Sequence, residues 1–317
     1  MRRVYLLSAL TLAFAASPRP IAAQGLVNEA LAGFPPQTFR VEYSSPAKLR
    51  KLPNYQNLRQ RFIGPRLQTL VSSLAQLGIR EEDVDELMLG WQAGQTEMEF
   101  YGFASGRFDT KGIADRAAAA GISPSPVAGQ QAYCLQAGLA GTCIAVLGNS
   151  LGAFGSLTSL TAMLEARAGQ GPGLSSDNRF APLLGEANKE TAIWGVAVGP
   201  AVGDWFKGWM PNQGNLKLDW SRVFEKVDSL VYSIAAGDKV NLDVKLDCAT
   251  PEDAATLRQL LEGLKLAQQL AWQTQNPSRA NPFEAMAVSQ QSRQLSLQVT
   301  TGYSDLELAG GVGATHD

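Results

Sequence analysis

From Val240 to Cys248 the chain alternates strictly. Val240, Leu242, Val244, Leu246 and Cys248 are apolar, and Asn241, Asp243, Lys245 and Asp247 between them are polar. A period of two predicts a strand with one buried face and one wet face. The period then changes. Thr250 stands where an N-cap belongs, Pro251 takes the first helical position, and Glu252 and Asp253 fill the first turn. Leu257, Leu260, Leu261 and Leu264 follow at helical spacing and predict one apolar side.

The same succession occurs earlier. "VDELMLGWQAG" (84–94) matches "VDSLVYSIAAG" (227–237) at V-D-x-L and at the closing A-G. After each comes a strand and then a helix. In the earlier copy Asp109 is placed to cap that helix, Ile113, Ala114 and Ala117 form its apolar side, and Gly121 stops it. Upstream, "TFRVEYSS" (38–45) and "TAIWGVAV" (191–198) read as strands. A helix from about Pro65 follows the first, and the segment 202–223 holds the helical connection after the second. "QQAYCLQ" with "TCIAVL" closes one half and "RQLSLQV" the other. Each half therefore reads strand–helix–strand–strand–helix–strand, the order of the split βαβ, ferredoxin-like motif. The expectation is an α+β protein of two tandem ferredoxin-like halves with mainly antiparallel sheets, produced by internal duplication. A doubly wound parallel sheet would alternate strands and helices singly. The halves span residues 24–170 and 181–308. A Gly- and Ser-rich connector covers 171–180, and a disordered tail covers 309–317.

Four stretches carry a resemblance: "FPPQTFRVEY", "GIREEDVDELMLGW", "SGRFDTKGIADRAAAAG" and "AYCLQ…CIAVLGNSLGAFG". On these the chain resembles a group of uncharacterised exported bacterial proteins with two duplicated α+β halves. The group has no assigned activity, so the resemblance implies fold and export and no mechanism.

Export is also read from the first 23 residues. Arg2 and Arg3 precede an apolar run, Val4 to Ala16, that is too short to span a bilayer, and Ala22-Ala23 offer a cleavage site before Gln24. This is the pattern of a signal peptide. No Cys stands at the cleavage site to carry a lipid anchor. Of the 317 residues 45% are apolar and 18% charged, which excludes a disordered chain and a coiled coil. The formal net charge is −2, and losing Arg2, Arg3 and Arg19 with the leader leaves 24 basic against 29 acidic residues, net −5. There is no basic cluster for nucleic acid. The later chain has no apolar run of membrane-spanning length. A periplasmic or secreted protein is expected.

One enzyme-like signal remains. Gly148-Asn149-Ser150-Leu151-Gly152 fits G-x-S-x-G, the nucleophile elbow of serine hydrolases, and an apolar strand precedes it. A serine nucleophile needs a base in reach, usually a His held by a carboxylate. The one histidine is His316, in a Gly-rich tail that cannot hold an imidazole in place. No oxyanion segment lies upstream, and no Lys is marked as a partner for Ser150. The bland reading is a strand ending in a Gly-Ser turn, with Ser156 or Thr158 capping the helix of Leu160, Met163 and Leu164. On that reading there is no catalytic residue.

Metal and cofactor sites are not expected. An EF-hand loop starting at Asp83 needs an oxygen ligand at its fifth position and Gly at its sixth, where Leu87 and Met88 stand. One His and no C-x-x-C spacing cannot build a zinc site. Trp205, Phe206, Trp209 and Met210 fall at helical spacing beside Gly203 and Gly208. They are read either as a partner surface or as the core stripe of a helix.

The cysteines predict a disulfide, since export allows one to persist. With Gly138-Leu139 as a two-residue hairpin turn, Ala137 faces Ala140, Gln136 faces Gly141, Leu135 faces Thr142, and Cys134 faces Cys143. That pair falls at a non-hydrogen-bonded position, with Cα atoms about 4.5 Å apart, and Cys248 stays a buried thiol. The functional expectation is a non-catalytic binding or structural protein of the cell envelope or extracellular space, with a protein or envelope component as partner. The alternatives are a hydrolase using Ser150 and a carrier of an apolar ligand between the halves.

Overall fold

A computed structural model describes residues 23–303, apart from residues 53, 57–58, 60–64, 95–97, 136–140, 210–218, 276–277 and 279–280. The leader, the 309–317 tail, His316 and Met210 lie outside the described residues, as does the side chain of Trp209. Among the described residues twelve strands form one sheet: β1 (Arg40–Ser44), β2 (Val84–Ala93), β3 (Met98–Gly106), β4 (Pro124–Val127), β5 (Gln130–Cys134), β6 (Thr142–Val146), β7 (Leu151–Ser156), β8 (Ile193–Val198), β9 (Val227–Ala236), β10 (Val240–Cys248), β11 (Met286–Gln291) and β12 (Gln294–Thr301). Their order is 11-12-10-9-8-1-2-3-7-6-5-4, and every neighbouring pair is antiparallel. The helices are α1 (Ala23–Gly33), α2 (Pro46–Leu49), α3 (Pro65–Gln76), α4 (Thr110–Ala119), α5 (Leu157–Arg167), α6 (Phe180–Glu186), α7 (Ala201–Trp209), α8 (Trp220–Val223) and α9 (Pro251–Gln275). The fold is α+β.

The strand order corrects the split βαβ expectation. A ferredoxin-like half sets its first and third strands side by side and parallel. Here β1 lies between β2 and β8, antiparallel to both. The edge of β1 that a closing fourth strand would take is occupied by the opposite half. Each half instead runs outward from the centre, as 1-2-3-7-6-5-4 on one side and 8-9-10-12-11 on the other.

Alternation along the strands divides the core between two faces. Val41, Tyr43, Met88, Tyr101, Phe103, Trp194 and Val196 share one face with buried residues of α1, α5 and α6. On the other face α3 and α4 cover the first half, through Leu70, Ile113 and Ala117 against Ala104, Ile144 and Phe154. There α7, α8 and α9 cover the second half, through Trp205, Phe206, Trp220, Leu257 and Leu261 against Leu230, Val244 and Leu246. Caps fix where these helices begin. Asp109 accepts from the Gly112 amide, Ser156 from Ser159 and Thr250 from Asp253, each meeting a donor that the first helical turn leaves unpaired. In the expected connector Leu174 and Phe180 are both buried, and α6 begins at Phe180.

The two halves meet along β1 and β8, where Glu42 faces Gly195. The seam is filled on both faces. On one, Tyr43 stacks on Trp194 with centroids 5.4 Å apart. On the other, Arg40 is 2% exposed, its guanidinium lies 4.2 Å from the Trp91 ring centroid, and it donates to Glu42 at 2.8 Å. Tyr232, from β9, reaches across β8 and also donates to Glu42. It can do so because Gly195 lies between, where a Cβ would come within 2.6 Å of the tyrosine ring.

Candidate functional site

The G-x-S-x-G stretch forms the turn of a hairpin. Leu147 donates to the Leu151 carbonyl, closing a loop over Gly148, Asn149 and Ser150, and Gly148 takes φ +91°. That left-handed conformation suits glycine. The turn is tied to the end of β3: Gly106 donates to the Ser150 carbonyl, Phe108 to the Asn149 carbonyl, and Thr110 Oγ1 to Asn149 Oδ1. A hydrolase elbow passes from strand through serine into helix. Here Ser150 passes into β7, and the helix starts only at Leu157, capped by Ser156.

Ser150 nevertheless borders an open cavity of about 200 Å³, lined also by Ser45, Ala47, Asp85, Glu86, Ser105 and Gly106. It lies at the end of the sheet where β1 stops. Glu86 is its organised group, since Tyr43 donates to one carboxylate oxygen at 2.7 Å and Ser105 to the other at 3.0 Å. Burial raises the Tyr43 phenol above its ordinary pKa, and the hydrogen bond and charge of Glu86 push the same way. The phenol therefore stays a donor at neutral pH. The wall is braced by α2. Ser45 caps it by accepting from the Lys48 amide, and Arg50 donates to the Glu81 and Val84 carbonyls. Beyond α2 a second open cavity, about 320 Å³, is lined by Lys48, Leu52, Asn188, Glu190, Thr191, Ala192, Ala235 and Ala236.

The other candidates fall elsewhere. Trp205 and Phe206, read as a possible partner surface, are each 1% exposed. They pack edge to face with centroids 4.9 Å apart, and Phe206 stacks on Phe224. The surface reading is corrected for both. Gly203, which weakens the helix by propensity, packs it closely instead: a Cβ there would lie 2.9 Å from the Ser221 backbone. Cys134 and Cys143 form a disulfide with Cα atoms 3.9 Å apart, and the Leu135 amide bonds the Thr142 carbonyl one pair further on. Cys248 is a buried thiol, pushed up to about 11 first by burial and then by Asp253, Asp247 and Asp228. No group of three metal-ligating side chains occurs among the described residues, and no described helix is long and apolar enough to cross a membrane.

No family model and no curated protein matches the chain. Among solved structures, crystal form III of the treponemal protein TP0453 aligns at a TM-score of 0.53 and 12% identity, over 94% of this chain and 99% of that one. The chain shares the fold of TP0453. Crystal form I of TP0453 aligns at 0.48 and 11% identity over the same shares of both chains. At such identities the likeness to TP0453 is one of fold alone.

Sequence reasoning passed over Glu86. It stands inside the EF-hand window starting at Asp83 that the sequence ruled out. One signal could have found it: Glu86 shares the parity of Met88 and Gly90, which is the buried side of β2. A carboxylate at an inward position needs donors, and Tyr43 and Ser105 supply them.

Proposed function

We propose that this is an exported, non-catalytic protein that acts by binding a protein or envelope component, with the Glu86 cavity as the contact point. One observation carries the reading. The Glu86 carboxylate, which lines the cavity with Ser150, is held by Tyr43 and Ser105, so both of its oxygens already accept a proton donor. A carboxylate so held is oriented to receive further donors from a partner, such as a lysine or arginine side chain. It is not disposed to activate Ser150. The cavity is of side-chain size and opens at the rim of the sheet. The leader-like first 23 residues support export. In each half the sheet runs outward through three strands, and after a helix a later strand, β7 or β12, joins the third; this shared order supports descent by duplication. The alternative of a serine hydrolase would need Asp85 or Glu86, the carboxylates that share the cavity with Ser150, as its base, and among the described residues no hydrogen bond joins either to the Ser150 hydroxyl. The alternative of a carrier would need space between halves whose seam is filled by Tyr43, Trp194, Arg40 and Tyr232.

The test pairs two assays. Crosslinking and pull-down from the producing cell, with the wild type beside Glu86→Gln, should recover a partner that the variant loses. Fluorophosphonate should not label Ser150. Labelling that Ser150→Ala abolishes would establish the hydrolase instead.

A further inference from the structure

The sheet ends in two edges, β4 and β11, and they are built differently. The β4–β5 hairpin turns through Ala128-Gly129, both at positive φ, between the facing pair Val127 and Gln130. The closing pair of a two-residue hairpin is hydrogen-bonded. Val127 and Ser125 therefore point their main-chain groups at β5, and positions 124 and 126 point theirs outward. Both outward positions are proline. This edge offers carbonyls and no donor, a common guard against strand addition.

The β11 edge has no such guard. Its hairpin turns through Ser292-Arg293 between the pair Gln291 and Gln294. By the same rule Gln291, Ser289 and Ala287 face β12, while Met286, Val288 and Gln290 face outward. The bonds at Met286 agree: its amide donates to the Phe283 carbonyl, and its carbonyl accepts from Lys265 Nζ. Val288 and Gln290 are left with two amides and two carbonyls that bond nothing among the described residues. Residues 285–291 carry no charge and no proline.

We propose that β11 is a self-association edge that pairs antiparallel with β11 of a second copy of this chain. Only one register uses every free group. Val288 lies opposite Gln290 of the partner copy, and Gln290 opposite its Val288, with Ser289 on the two-fold axis. Four main-chain hydrogen bonds form and none of the four groups on either strand is left over. A register centred on Val288 would oppose Gln290 to Met286, whose groups are already bonded. An uncharged strand meets itself without like-charge repulsion. The occupant is a second copy in a closed pair, and not a growing filament, because β4 has no outward donors to continue a head-to-tail ladder. The contact is small, so association depends on concentration.

Ser289 supplies the test, being exposed on the open face of β11. At the two-fold axis it forms a non-hydrogen-bonded pair, with Cα atoms about 4.5 Å apart, a separation that a disulfide tolerates. The full chain in sedimentation equilibrium should rise from one chain mass toward two with concentration, and no further. Ser289→Arg should hold the mass at one chain with an unchanged melting temperature. Mixing it with Ser289→Glu should restore the two-chain species. Ser289→Cys should oxidise to a linked dimer much faster than Ser296→Cys, which lies on the same face one strand inward. The proposal is overturned by a mass of one chain throughout with equal crosslinking of the two cysteine variants. It is equally overturned by masses beyond two, or by a dimer that Ser289→Arg leaves intact.

Discussion

Arg40 is buried at the centre of the molecule with one carboxylate, one phenol and one indole around it. Burial works against its charge, yet Tyr232 and Glu42 outweigh that cost, and its pKa is raised. Removing one partner of a buried pair strands the other, at about 3–5 kcal/mol. Glu42 is one-fifth exposed, so Glu42→Gln should cost about 3 kcal/mol in urea denaturation. Replacing both residues, as Arg40→Met with Glu42→Leu, should cost less than the two single changes added together. Additive losses would mean that the pair is not coupled. The cysteines give a second test. Cys134→Ala with Cys143→Ala opens a bridge between residues nine apart and should lose about 2–3 kcal/mol. Cys248, its thiol pushed up to about 11 by burial, should resist alkylation near pH 8 until the chain is unfolded. Labelling of the native protein at Cys248 would contradict the burial.

Two serines six residues apart separate a motif from a structural role. Ser156 accepts the Ser159 amide and starts α5, so Ser156→Ala should cost about 1 kcal/mol. Ser150 sits in a turn held by main-chain bonds, so Ser150→Ala should leave the melting temperature unchanged. Thermal denaturation of both variants checks the contrast. Much at this scale was legible in the sequence, because it is local. The period-two run from Val240, the cap–proline–acid start of α9 and the facing Cys134 and Cys143 all depend on residues close in sequence. The strand order was not legible. A strand–helix–strand–strand–helix–strand succession serves a ferredoxin-like half and this outward-running half equally. What decides between them is the pairing of β1 with β8, about 150 positions away. Trp205 and Phe206 were ambiguous for a related reason: helical spacing marks an apolar stripe but not what covers it, and here it is the distant Phe224 and Tyr232. Glu86 was hidden because its partners come from β1 and β3.

For the whole molecule the seam decides whether there are two folding units or one. Each half leaves a strand, β1 or β8, that pairs on one side only with the other half. Cut apart, each half would expose a bare edge and an apolar face carrying Tyr43 or Trp194. Tyr232 of the second half also supplies a donor to Glu42 of the first. Such mutual dependence predicts a single cooperative transition. The probes can be kept apart. Five of the six tryptophans lie beyond residue 190, so fluorescence follows the second half. Hydrogen exchange at β2, β3 and β7 follows the first. Gly195→Ala tests the coupling at its centre. The added Cβ would stand 2.6 Å from the ring of the buried Tyr232, which cannot withdraw without leaving Glu42. Overpacking of this kind costs about 1–3 kcal/mol. If the seam joins the halves into one unit, both probes should move to a lower midpoint together and by the same amount. A shift confined to the fluorescence, with protection in β2, β3 and β7 unchanged, would show that the first half folds without its neighbour.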